Sequence, residues 1–163
     1  MEKEPIPDRE LHRLLQVALV FETIIENRVQ HYHENHASEP ETQVLKETQE
    51  ECREHRERLI DLLETLGFCR ESHVELAATV SSRYSHCDPT EVEALRDQLA
   101  SEIAAYIFYS RVLQRLSSTE YGGDADLGEV IDVLEPIKEE EKQGVMEILA
   151  IFSTSQSVPA SLD

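Results

Sequence analysis

Four ionisable residues stand on otherwise apolar helical stripes of this chain, and their types are those that bind transition-metal ions. Read at spacings of three and four, Leu11, Leu15, Ala18, Glu22, Ile25, Val29 and Tyr32 form a first stripe whose only charge is Glu22. A second runs Leu45, Thr48, Cys52, His55, Leu59, Leu62, Leu66. A third, Val92, Leu95, Leu99, Glu102, Tyr106, Tyr109, Leu113, Leu116, carries only Glu102. The fourth, Leu127, Val130, Leu134, Ile137, Glu141, Gly144, Ile148, Phe152, carries only Glu141. Apolar stripes at this period face a core. Carboxylates are seldom fully buried unless paired or bound to a metal. Each of the four lies near mid-helix, so they can converge on one layer. Carboxylates with an imidazole suit iron, manganese or zinc, which accept mixed oxygen and nitrogen ligands. The competing reading is a metal-free polar layer in which Glu102 and Glu141 are partly protonated, His55 is charged, and Tyr106 and Tyr109 donate hydrogen bonds. Against it, carboxylates crowded together repel one another unless a cation intervenes.

Glu26, Glu51 and Glu140 lie one turn from a seam position and are substitute ligands or outer partners, although glutamates flanking a seam are ordinarily solvated. Cys52 on the second stripe reads as a small buried hydrophobe, with thiolate ligation as the alternative. Cys52, Cys69 and Cys87 form no CxxC pair, which argues against a structural zinc site. His31, His33 and His36 close the first helix, where the helix dipole favours them. Cys69 with His73, and His86 with Cys87, read as loop residues.

Elements able to position these groups follow from the same periodicity. Asp8 caps a helix reaching His33 or His36. Ser38-Glu-Pro-Glu breaks the chain, and a second helix runs to Leu66, with Gly67 as its C′ residue. Between Phe68 and Asp88 a longer connection contains a short helical pattern from Ser72 to Val80. Asp88-Pro-Thr-Glu restarts a third helix that ends near Ser117. The last spans Leu127 to Phe152, with Pro136 kinking or splitting it. Two helices, a long connector and two more helices predict an all-α four-helix bundle over residues 8–152, with flexible tails at 1–7 and 153–163.

Composition agrees with this class. The 163 residues include five glycines, six prolines and no tryptophan, and a chain of this length forms one domain by default. No apolar run approaches the roughly 20 residues that span a membrane, and the charged start lacks the apolar stretch of a signal peptide. A cytoplasmic location is expected. The formal charge of −19 argues against nucleic acid as a partner. With Lys scarce beside Arg, it is similar to halophilic proteins, whose self-repulsion is screened by salt.

The seam residues resemble the ferritin-like superfamily, rubrerythrin-type bundles in particular. There, helices one and three each supply a Glu, and helices two and four each supply Glu-x-x-His, around two metal ions. Glu22 matches the first position, and Glu102, within Ser101-Glu-Ile-Ala-Ala-Tyr-Ile-Phe-Tyr, matches the third. Glu50-Glu-Cys-Arg-Glu-His55 keeps the His but has Cys52 in place of the Glu. Glu139-Glu-Glu-Lys-Gln-Gly144 keeps Glu141 but has Gly144 in place of the His. The resemblance implies a ferritin-like fold and a metal site of Glu22, His55, Glu102 and Glu141, with iron first and manganese or zinc as alternatives. Its departures imply an atypical centre, and leave open a metal-free interaction module without catalysis or an unrelated helical regulator. No CxxC pair is present to deliver electrons as in rubrerythrin. A homodimer or higher homo-oligomer, through outer-face residues such as Leu19, Phe21, Ile103 and Ile107, is the expected assembly.

Overall fold

A computed structural model is described for residues 8–36, 42–68, 90–118, 123 and 125–155, and these residues form four helices and no strand. They are α1 (Asp8–His36), α2 (Thr42–Thr65), α3 (Glu91–Ser118) and α4 (Leu127–Ser155). Local chemistry explains most of their ends. Gly67, at φ 69°, takes the left-handed conformation after α2. Its N–H donates to Glu64 O at 3.0 Å and the Phe68 N–H to Leu63 O at 2.9 Å, the paired bonds of a Schellman ending. Thr90 and Glu93 form a reciprocal capping box at the start of α3: the Thr90 N–H donates to Glu93 Oε2 at 2.8 Å and the Glu93 N–H to Thr90 Oγ1 at 3.4 Å. Asp126 caps α4 by accepting from the Gly128 N–H at 2.8 Å.

Pro136 lies inside α4 without dividing it. Both Pro136 and Asp132, whose carbonyl loses its helical donor, are exposed, so water can satisfy that carbonyl. The helix also continues three residues past the expected end at Phe152. The helical pattern expected from Ser72 to Val80, and Cys69, His73, His86 and Cys87, lie outside the described residues.

Side-chain contacts fix the directions. Glu10 at the start of α1 pairs with Arg115 near the end of α3 at 2.8 Å. Arg28 near the other end of α1 donates to Ser101 Oγ at 2.8 Å, near the start of α3. These two helices are antiparallel. Leu11 and Leu15 share a core with Leu59 and Leu63, whereas Ile25, Val29 and Tyr32 share one with Leu45 and Cys52, so α1 and α2 are antiparallel as well. It follows that α2 and α3 run in the same direction. Around the bundle the packing order is α1, α2, α4, α3.

The apolar interior comes in two parts. One is built from residues such as Leu11, Leu59, Leu113 and Leu134; the other holds Ile25, Val29, Leu45 and Leu95. Glu22, His55, Glu102 and Glu141 lie between them. Three of the expected stripes are buried nearly residue for residue, with only Leu66, Leu127 and Phe152 half-buried. The α3 stripe departs. Val92 is exposed, Leu99 and Tyr106 are half-buried, and Gln98 and Ala105 face inward instead. A three-or-four spacing leaves the choice of neighbour open at each turn, and a small Ala fits where the helices approach.

The expected dimer residues divide. Leu19 belongs to the core and is unavailable to an outer contact, Phe21 is half-buried and stacks on Phe108, and Ile103 and Ile107 are exposed. No described helix is long and apolar enough to cross a membrane.

Gly67 isolates a backbone effect, because nothing lies within 4 Å of the position its Cβ would take. Replacing Gly67 with Ala should therefore cost about 1 kcal/mol through conformation alone, read as a lower urea midpoint with an unchanged slope.

Candidate metal centre

Helix α1 brings Glu22, α2 brings His55, and α4 brings Glu141 to one point. One donor atom from each lies within 4.8 Å of the other two, and the three side chains are 0–3% exposed. His55 Nδ1 is 3.1 Å from Glu141 Oε1 and 3.4 Å from Glu22 Oε2. Neither contact is aligned as a hydrogen bond: Nδ1 and Glu22 Oε2 are both buried without one. Two facing polar atoms in that condition are rare in a folded interior.

Neighbouring groups hold the remaining atoms. The Tyr109 hydroxyl donates to Glu22 Oε1 at 2.5 Å, which leaves Oε2 as the free oxygen of that carboxylate. His55 Nε2 pairs with Glu140 Oε2 at 2.8 Å, and Arg58 Nη1 donates to the same oxygen at 2.8 Å. A carboxylate on Nε2 places a proton there and turns Nδ1 inward as the group that can lose its proton to a metal. Glu140 therefore acts on the centre through His55.

Glu102 sits one step aside. Gln98 Nε2 donates to its Oε1 at 2.6 Å, and the Gln98 carbonyl accepts from Arg28 at 3.1 Å. Its Oε2 occupies the space above Gly144, 2.5 Å from where a Cβ would stand. Gly144, having no side chain, thus makes room for a neighbouring carboxyl group. Of the flanking residues, Glu26 pairs with Arg56 at 2.9 Å, Cys52 is buried, and Glu51 is exposed. Tyr106 is only half-buried. Of the three histidines closing α1, only His31 has a described side chain, and it is half-buried. Sequence reasoning missed Gln98, Arg58 and Arg28; Gln98, one turn before Glu102, and Arg58, three residues after His55, were the available signals.

Electrostatics in the layer are strongly coupled. Burial pushes Glu102 up to about 9, reinforced by Glu141. Burial also raises Glu141, with His55 opposing. Burial disfavours the His55 cation, but Glu141 and Glu22 outweigh it and move the imidazole up to about 11. Burial and then Glu22 raise both the Cys52 thiol and the Tyr109 phenol. Partial desolvation at the rim of the layer, followed by repulsion from Glu102, pushes the exposed Glu51 up to about 7. At neutral pH the ion-free layer thus holds a protonated Glu102 and a charged His55. No family model, curated protein or solved structure matches the chain.

Both large shifts have the same sign in stability. Folded Glu102 keeps its proton to about 9 against an ordinary 4.5, so the folded state binds the extra proton and stability falls as pH rises through that window. The His55 contribution is complete below its ordinary 6.5 and is lost as pH rises toward about 11. Chelator-treated protein should be most stable near pH 4–5 and weaken toward pH 9, by about 1.4 kcal/mol per pH unit for each extra proton bound. Urea unfolding at fixed salt measures this. Glu102→Gln should flatten the acidic part of the profile, separating it from the effect of overall charge.

Proposed function

We propose that this chain is a ferritin-like metal-binding bundle whose ion is held by Glu22 Oε2, His55 Nδ1 and Glu141 Oε1. The observation carrying this reading is the pair of buried, facing atoms, Nδ1 and Glu22 Oε2, with no hydrogen bond and a third donor within 4.8 Å. The donor set also fits. Tyr109 leaves one Glu22 oxygen available, and Glu140 with Arg58 aims the imidazole. One nitrogen and two carboxylate oxygens suit iron, manganese or zinc, and the family resemblance puts iron first. The parallel course of α2 and α3 further supports the ferritin-like reading.

Within this reading the metal supplies the positive charge that the buried carboxylates require. Its binding displaces the proton on Nδ1, so affinity should rise with pH as protons are released. With ligand side chains 0–3% exposed, the centre is closed to bulk solvent, which favours holding an ion over turning over a substrate. An ion there would tie α1, α2 and α4 together. A metal-free ferritin-like interaction module is the second reading, favoured by the shift of His55 to about 11, since the charged imidazole can itself occupy the cation's role.

Elemental analysis of untagged protein from a high-salt host, with melting before and after chelation, distinguishes the two. Metal retained by the native state alone should stabilise it by about 2.7 kcal/mol at a hundredfold excess over Kd. Glu22→Gln should abolish the chelator-sensitive part. Metal-free protein with an unchanged midpoint would favour the metal-free module.

A further inference from the structure

We propose that the centre takes one metal ion per chain, because the wedging of Glu102 over Gly144 removes the donors that a second ion would need. This rests on the metal-binding reading and adds the number of ions and the residue that limits it. A second ion beside the first needs its own donors, and Glu102 is the additional carboxyl group buried in the same layer. Its carboxyl group is turned away from the ligand group: Oε1 accepts from Gln98 at 2.6 Å, Oε2 lies over Gly144, and Glu102 is not among the donors that gather within 4.8 Å of one another. Gln98 is itself held through its carbonyl by Arg28, so its NH2 group is turned toward Glu102. This clasp joins α1 to α3 and is independent of His55.

The rest of the layer offers no replacement. Gly144 has no side chain, Glu26 is paired with Arg56, and Glu140 is shared between His55 and Arg58. Among the described residues, Glu22, His55 and Glu141 are the one group of three or more His, Cys, Asp or Glu side chains with donor atoms close enough to hold an ion. Glu102 is thus a positioning residue: it packs the α3–α4 contact and braces Glu141 without binding the metal.

The test is a titration of metal-stripped full-length chain with manganous ion, at high salt to suppress loose binding by surface carboxylates. Calorimetry is combined with elemental analysis after gel filtration, and helical circular dichroism reports folding. The parent should retain one manganese per chain. Glu102→Gln preserves the Gln98 contact and shape; it should also retain one, with affinity within about threefold, while Glu141→Gln should lose at least about tenfold. Two ions per chain would overturn the one-ion inference, and a loss in folded Glu102→Gln equal to that in Glu141→Gln would overturn the positioning role of Glu102; both leave metal binding intact. A folded parent that retains no manganese, ferrous or zinc ion would instead overturn the metal-binding reading itself.

Discussion

Buried carboxylates need a positive charge among them, and the interior of this bundle is arranged around that need. Glu22, Glu102 and Glu141 are all at most 3% exposed, and among the described residues His55 is the one buried basic side chain. Without compensation, each carboxylate would carry a desolvation cost and raise the pKa of the others. The ion-free molecule meets the demand with protons, on Glu102 and on both nitrogens of His55. A divalent ion would meet it more compactly and free the proton on Nδ1. Either solution joins helices distant in sequence, because the layer draws one member from each.

The same layer divides the apolar core into two clusters, with Tyr109 and Cys52 at its edges. Polar groups inside a bundle restrict how the helices can slide, since a shift of one turn would pair a carboxylate with Leu or Ile. Contacts outside the seam reinforce this register. Arg28 reaches from α1 to Gln98 and Ser101, and Arg58 reaches from α2 to Glu140. Both arginines also orient a residue that touches the layer. Helix register and site geometry are therefore supported by shared side chains.

Much of this was legible in the sequence because helical periodicity is strong in α1, α2 and α4. A lone Glu22 or Glu141 on an apolar stripe can be recognised without knowing its partners. The inward positions of α3 were harder: Gln98 looks like a surface residue, and Ala105 is too small to mark a core position. What could not be read was how the four seam residues distribute. Whether Glu102 meets the other three or turns aside depends on the separation of α3 and α4 at Gly144, a distance no single stripe encodes. Glu140 could be named beside the seam as a substitute ligand or outer partner, but its reach to His55 and Arg58 across the α2–α4 contact is a tertiary feature that no stripe encodes.

The central claim concerns where a cation sits, and anomalous diffraction at the metal absorption edge measures that most directly. Crystals of the manganese-loaded chain should show a strong peak between Glu22 Oε2, His55 Nδ1 and Glu141 Oε1, at about 2.0–2.3 Å from each. No peak in the interior, or peaks confined to surface glutamates of α2 and α4, would contradict the account and leave the layer balanced by the proton on His55.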